Sequence, residues 1–505
     1  MSALSKVCFA VALALCVLMP SGESLWMDEA QTYRLASMPT LAAVFSDLRK
    51  IVASESLMPL GIVTAWCSAR IVGVSEWELR AVNILWGMLA TAAFAVVGRK
   101  WRIPWAPLFL TVQPFLWFYM NEARPYALQI ACGAWLLAGL VISLEEKRLR
   151  QPVFLLLLVA SCILVGTTLF GILTVLPVWA AILWRAWREH WPRPAGWPLA
   201  ISVALVWCAG FGIHYLLTLS RGAGGVRLWD VGLQNIGFAI YEFAGFSGLG
   251  PGRNELRELA QLGGHSAVLH GFAHGFIAMA VLAAAYAALL GGVILRGAKM
   301  ENRPAAMWIA GIFAVNCATL VLLALVAHFP FWGRHLAPAF PFFCALLLLG
   351  IRELKFVIRP VPARAVTVVF FSLLTLSSLG LRFQARHAKD DYRAAASIAK
   401  QAMSAGQSVW WSADPEAARY YRLGSPARAD ASDRLIFTRD VSPEILAGTT
   451  PPQVIVSSKP DAFDPLGTVV AFIRLHHYRS GQKLSGFQIF LRPQDPEADP
   501  ENRPK

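Results

Sequence analysis

The chain has 505 residues, 56% of them hydrophobic and only 15% charged, with a formal net charge of +14. Soluble domains carry about a quarter charged residues, so a water-soluble fold is excluded for most of this length. Nucleic acid does not explain the basic excess, because Lys and Arg cluster between long apolar segments, as in the cytoplasmic loops of polytopic membrane proteins. All eight cysteines fall in apolar stretches without metal-ligand spacing, which argues against a disulfide framework or a zinc module.

In chain order, Met1–Lys6 and the apolar run to Met19 read as an uncleaved first helix, since apolar character resumes at Leu25-Trp26-Met27. Further spans of roughly 20 residues are predicted over 79–98, 103–120, 124–144, 197–217, 268–295, 305–328, 335–351 and 362–381. The stretch 152–184 has basic clusters on both flanks, so it reads as a tight helical hairpin turning near Gly166–Gly171. Residues 57–73 are assigned to the interface or a re-entrant segment, because a crossing there would carry Arg99–Arg102 outside. About eleven spans follow, with the N-terminus cytoplasmic and segments 21–78, 121–123, 218–267, 329–334 and 382–505 extracytoplasmic.

The predicted architecture is therefore a polytopic α-helical membrane protein of the bacterial inner membrane. A membrane domain over 1–381 precedes a small C-terminal α/β extracytoplasmic domain over 382–492, and 493–505 read as a disordered tail rich in Pro and charge. Within 382–492 the pattern predicts a helix from 389, a strand at 408–411, a helix at 414–423, and strands near 453–458, 468–474 and 486–492. No catalytic constellation stands out in that domain.

Ionisable groups beside a bilayer are costly and tend to be functional. Three outward sets qualify: Asp28-Glu29, Asn121-Glu122-Ala123-Arg124-Pro125-Tyr126, and Trp332-Gly333-Arg334-His335. Each falls at the outer end of a predicted helix, and they are expected to converge on a cavity at the membrane surface. The glycine- and aromatic-rich run 241–254 suggests irregular, mobile backbone, either a lid or an ordinary surface loop.

These residues resemble a family. Trp26-Met27-Asp28-Glu29-Ala30, followed by Ser54-Glu55-Ser56-Leu57-Met58-Pro59-Leu60, looks like the first extracytoplasmic loop of GT-C glycosyltransferases such as lipid A aminoarabinose transferases and protein O-mannosyltransferases. Gly73–Arg80 resembles the segment leading into their next span, Glu122-Ala123-Arg124-Pro125-Tyr126-Ala127-Leu128 their EARxYxL pattern, and Arg334-His335-Leu336-Ala337-Pro338 their RYLxP element. The resemblance covers roughly residues 5–380. This chain has Leu57-Met58-Pro59-Leu60 where a His-Pro-Pro-Leu or Lys-Pro is frequent, and His335 where Tyr is usual.

The resemblance implies an inverting glycosyltransferase that moves a sugar from a polyprenyl-phosphate donor to an envelope glycolipid, glycan or protein on the extracytoplasmic face. A departing phosphate needs no protonation, so such an enzyme needs a single carboxylate base, unlike a glycosidase. Asp28 is assigned that role; Glu29 either supports it or hydrogen-bonds the loop. Arg124 is assigned to the donor phosphate or to an ion pair with Glu122 or Asp28, since a guanidinium grips phosphate through parallel hydrogen bonds. Arg334 is a phosphate contact or an interfacial anchor, and His335 a phosphate donor or a structural residue. Glu55, Glu122 and Tyr126 are substrate-binding candidates, with Glu55 also able to hold a divalent metal ion or to stand as a solvated loop acid. Arg80 reaches the site or caps its helix.

Two other functions share part of this pattern. A polymerase or ligase of another membrane family would use the outward arginines without Asp28. A lipid-linked glycan transporter would show mid-span charges, paired halves or interrupted helices; few ionisable residues fall mid-span and no internal repeat is evident.

Overall fold

A computed structural model describes residues 2–51, 54–222, 232–296, 303–329, 331–424 and 434–493. The chain forms two compact units: Met1–Ser21 with Leu35–His387, and Gly22–Arg34 with Ala388–Lys505. All but the first residue of the tail expected over 493–505, and residues 223–231 and 297–302, lie outside the described residues.

Apolar sequence at membrane depth must satisfy its own backbone, so it folds as helices. In chain order these are α1 (Ala3–Leu18), α2 (Met27–Ala36), α3 (Leu41–Leu48), α4 (Pro59–Val72), α5 (Glu76–Trp101), α6 (Ala106–Thr111), α7 (Pro114–Met120), α8 (Tyr126–Glu146) and α9 (Gln151–Thr167). Then come α10 (Ile172–Arg188), α11 (Trp197–Ser220), α12 (Leu233–Phe243), α13 (Arg253–Gly271, broken at Gly264), α14 (Phe276–Arg296), α15 (Arg303–Ala327), α16 (Phe340–Leu354) and α17 (Pro360–Phe383). Eight described helical segments are long and apolar enough to cross a membrane, and α1, α4 and α9 are shorter apolar helices. The protein is thus an integral, multi-pass membrane protein.

Burial sorts these helices. α8 and α16 are enclosed along nearly their whole length, whereas α11 exposes Leu199, Val203, Val206 and Leu216, the all-round apolar surface of a lipid-facing helix. Where helices meet closely, glycine makes room. A Cβ built on Gly133 of α8 would lie 2.1 Å from the Pro338 carbonyl oxygen, and one on Gly350 of α16 would lie 2.5 Å from that of Leu289 on α14.

Two expectations change. Residues 103–120 are not one span but α6 and α7, because Pro114 has no N–H and holds Gln113 extended. The carbonyls around the break are taken up by side chains: Thr111 O accepts from Trp117 Nε1 (2.6 Å) and Val112 O from Ser378 Oγ (2.9 Å). The glycine-rich run 241–254 is irregular only between helices: Tyr241–Phe243 end α12, Arg253 starts α13, and Ala244–Gly252 between them runs as turns, pinned where Gly248 abuts the Ser377 carbonyl and Gly252 that of Arg386. The hairpin predicted at 152–184 is present as α9 and α10, joined by a 3-10 turn at Leu169–Gly171.

The second unit is a five-stranded sheet with helices. After α18 (Tyr392–Ser404) come β1 (Val409–Ser412), α19 (Pro415–Tyr420), β2 (Leu435–Phe437), α20 (Pro443–Gly448), β3 (Val454–Ser457), α21 (Pro460–Phe463), α22 (Thr468–Leu475), β4 (Arg479–Leu484) and β5 (Phe487–Leu491). The strand order is β2-β1-β3-β5-β4, with β2, β1 and β3 parallel and β5 antiparallel to both β3 and β4. Successive strand residues face opposite sides: Trp410 packs on Phe472 with ring centroids 4.4 Å apart, and Trp411 faces Tyr392 and Phe487. The segment 468–474, read as a strand from its β-branched run, is helix α22; Val469 and Phe472 are buried three residues apart, which is helical spacing. Ala30 is fully buried in this unit's core, with Trp26 packed against it.

Two outcomes follow from this packing. Gly133→Ala forces the α8 contact with Pro338 apart and should cost about 1–3 kcal/mol, read as a lower thermal midpoint in detergent; an unchanged midpoint would contradict the contact. In the second unit, burial pushes the Asp414 carboxyl up from 3.8 to about 6, with its Ala417 N–H contact opposing. An acid whose folded pKa is raised binds its proton more tightly in the native state, so its contribution is favourable below about pH 4 and lost as pH rises through about 6. The opening free energy at the β1 amides, measured by hydrogen exchange, should therefore fall by about 2–3 kcal/mol across that window in the native chain. In Asp414→Asn, which keeps an acceptor for Ala417 N–H, the slope should flatten.

Candidate active site

The first unit gathers its ionic side chains at helix ends. Glu55 lies in a 3-10 turn at Ser54–Leu57 just before α4, and Arg124 in the short link between α7 and α8. Gly61 lets α4 approach that link, since a Cβ there would meet the Pro125 ring at 2.5 Å. The Arg124 guanidinium pairs with Glu55 and donates to Ser54 Oγ at 3.1 Å; both ionic side chains are almost fully buried. The link itself is fixed by Asn83 of α5, whose Nδ2 donates to Glu122 O (2.6 Å) and Met120 O (3.2 Å). Asn121 Oδ1 accepts from Ser21 N and Oγ, both at 2.8 Å, and Arg80 donates to Ser21 O at 2.8 Å. Arg80 is therefore an inward strut, not a helix cap. α5 is instead capped by Glu78, which accepts from Ser75 N at 2.8 Å.

A second group adjoins the first through Glu122. Glu242 ends α12 and is buried, and Arg253 begins α13; the two form an ion pair. The Arg253 guanidinium lies over the Phe118 ring at 3.9 Å, a cation–π arrangement. Burial raises the Glu242 carboxyl above the usual carboxylate range, while the charges of Arg253 and Arg334 oppose this. Arg253 in turn feels Glu242, Tyr119, Glu122 and Arg334. Gly333 stands against Glu242, a Cβ there lying 3.2 Å from its carboxylate. The structure thus brings Glu122 and Arg334 together with Glu242, Arg253 and Tyr119, and puts Tyr126 at the start of α8 with its ring 4.8 Å from that of Tyr119.

His335 accepts the Trp332 N–H at Nδ1 (3.2 Å), and its ring lies among Phe170, Phe329 and Phe331. That is a helix-start brace in an aromatic surround. Glu242 and Arg253 were missed from sequence because 241–254 was read for its glycines. The available signal was the lone charged residue in the largely apolar Leu233–Phe243, an acid that needs a partner once buried. Among the described residues, no group of three or more His, Cys, Asp or Glu is placed to hold a metal ion.

Asp28 and Glu29 belong to the second unit, in the first turn of α2, where the helix dipole favours negative charge. Glu29 is fully buried, pairs with Lys389 at 3.1 Å and accepts from Trp26 N at 3.4 Å. Asp28 is half-buried.

No family model matches this sequence, and no curated protein matches it. Among solved structures, the chain is similar to ArnT from Cupriavidus metallidurans in the apo state (15% identity, TM-score 0.44) and bound to undecaprenyl phosphate (14%, 0.41), in each case over 97% of this chain and 99% of that one. It is also similar to arabinofuranosyltransferase AftD from Mycobacteria (14%, TM-score 0.40), over 97% of this chain and 40% of that one. At these identities and scores none of the three assigns an activity to this chain.

The buried Arg124–Glu55 pair sets a stability test. Removing one partner strands a charge, so Arg124→Met or Glu55→Gln alone should destabilise by about 3–5 kcal/mol, and the double variant should recover most of it. Thermal unfolding in detergent measures this; additive losses would show that the two side chains do not act as a pair.

Proposed function

We propose that this protein is an inverting glycosyltransferase of the GT-C type, transferring a sugar from a polyprenyl-phosphate donor to an envelope acceptor on the extracytoplasmic face of the inner membrane. The observation that carries the proposal is the cluster of guanidinium and carboxylate groups in the membrane unit. Arg253 and Arg334 stand with Glu122, Glu242 and Tyr119 at helix ends, in a protein otherwise poor in charge. Guanidinium groups suit a phosphate that must be held and, on departure, must carry its own negative charge.

The reaction needs little more. The acceptor oxygen or nitrogen attacks the anomeric carbon from the face opposite the phosphate. The new bond forms as the carbon–oxygen bond to phosphate breaks, and the anomeric configuration inverts. The electron pair leaves on the phosphate oxygen, and the acceptor proton passes to a carboxylate. In this proposal Asp28 is that base, Arg334 and Arg124 contact the donor phosphate, and Glu55, Glu122 and Tyr126 contribute to substrate binding. Glu29 supports Asp28, and His335 braces the turn that carries Arg334. A lone carboxylate accepting a proton accounts for roughly 10²–10⁴ in rate.

Asp28→Asn keeps the size of the side chain and removes its basicity. In membranes supplied with a panel of synthetic undecaprenyl-phosphate sugars and native envelope acceptors, transfer by this variant should fall by about 10²–10⁴. Product formation at the wild-type rate would end the proposal.

A further inference from the structure

The second unit holds its own short N-terminal segment in an unusual place. In an open α/β sheet, ligands bind outside the carboxyl ends of adjacent parallel strands whose outgoing connections run in opposite directions. Here β1 leads by α19 to β2 on one side, whereas β3 leads onward to β4 and β5 on the other. The crevice therefore opens beyond the ends of β1 and β3, where Ser412, Asp414, Ser457, Ser458 and Lys459 are all buried. Lys459 adopts a left-handed backbone (φ 43°), a strained conformation for a side-chain-bearing residue and one that gathers at binding sites.

The residues that meet this end of the sheet come from 22–34. Lys459 pairs with Asp390 and lies 5.1 Å from the centre of the Trp26 ring. The Tyr421 hydroxyl, just past α19, accepts the Leu25 N–H at 2.8 Å and lies 3.1 Å from Ser24 Oγ. Arg393 donates from its backbone to Ser24 Oγ and from its guanidinium to Gly22 O at 2.7 Å. Tyr33 meets Tyr420 edge-on at 4.5 Å. Trp26, Glu29, Ala30 and Tyr33 are spaced i, i+3, i+4 and i+7, one stripe of a helix, and every one of them contacts the unit. Asp28 is off that stripe.

We infer that the C-terminal α/β unit uses its strand-end crevice to grip the segment carrying Asp28, and that Lys389, through its ion pair with Glu29, is the positioning residue for that carboxylate. The inference rests on the proposed role of Asp28. It gives the residues from 388 onward a task that needs no catalytic group among them. Four anchoring side chains, one of them in the buried ion pair with Lys389, fix the helix on which the acid sits. A base must stand within hydrogen-bond reach of the proton it takes, so freeing that helix lowers turnover and leaves donor binding intact.

Two readouts on the full-length protein in membranes test this, one independent of activity. Lys389→Met should raise the rate of trypsin cleavage after Arg34 at least about ten-fold by letting the segment open, with cleavage after Arg221 as an unchanged control, and Lys389→Arg should restore protection. With the undecaprenyl-phosphate sugar panel, Lys389→Met should lower kcat about ten-fold or more while the donor KM stays within about two-fold, and Lys389→Arg should recover most of the turnover. In an Asp28→Asn background the same change should have no further effect on residual transfer. Unchanged cleavage after Arg34 overturns the grip, and increased cleavage with wild-type kcat overturns the positioning role while leaving the proposed reaction standing. Full activity in Asp28→Asn alone removes the proposed reaction and the positioning role together.

Discussion

A backbone N–H or C=O that meets hydrocarbon without a partner costs several kcal/mol, and most of the first unit follows from avoiding that cost. Long apolar runs close their hydrogen bonds within themselves as helices. Where a helix must break, nearby side chains take up what the backbone loses. At Pro114 the carbonyls of Thr111 and Val112 find Trp117 and Ser378. The same rule applies more severely to charge. Two buried carboxylates of the unit, Glu55 and Glu242, are held in ion pairs, the first with buried Arg124 and the second with half-buried Arg253, and both pairs stand near helix termini.

That constraint also explains why candidate chemistry collects where it does. α8 and α16 are packed on all sides, with glycine at the closest approaches, so their ends are rigid. Glu122, Arg124 and Tyr126 lead into one of them and Arg334 and His335 into the other. Side chains on such termini are pre-positioned by packing rather than by loop order, which a phosphate-binding group needs if it is to act without reorganising.

Helix positions were legible because hydropathy and helix-end chemistry are local. The hairpin at 152–184, the span ends at Glu122–Tyr126 and Arg334–His335, and the strands at 409–412, 454–457 and 487–491 all follow from neighbours in sequence. What sequence concealed was non-local. Glu242 and Arg253 are eleven residues apart and become a pair only when α12 and α13 fold back across a glycine-rich turn. Thr468-Val469-Val470 has strand-like composition, yet burial at 469 and 472 selects a helix, tertiary packing overriding a weak β preference. Association of 22–34 with residues 388 onward spans most of the chain and has no local signature at all.

Asp28 and Glu29 show how neighbouring acids acquire different fates. In an extended loop they would point to opposite sides, both open to water. In a helix they diverge by roughly 100°, so only one can lie on the stripe formed by Trp26, Ala30 and Tyr33. Glu29 takes that place, fully buried against Lys389, where its charge is neutralised and its freedom is gone. Asp28 is left half-buried beside it, on a helix that Glu29 helps to hold. An Asp-Glu dyad at a helix start is therefore not two interchangeable carboxylates: Glu29 is enclosed against Lys389, and Asp28, one position away, keeps partial contact with water.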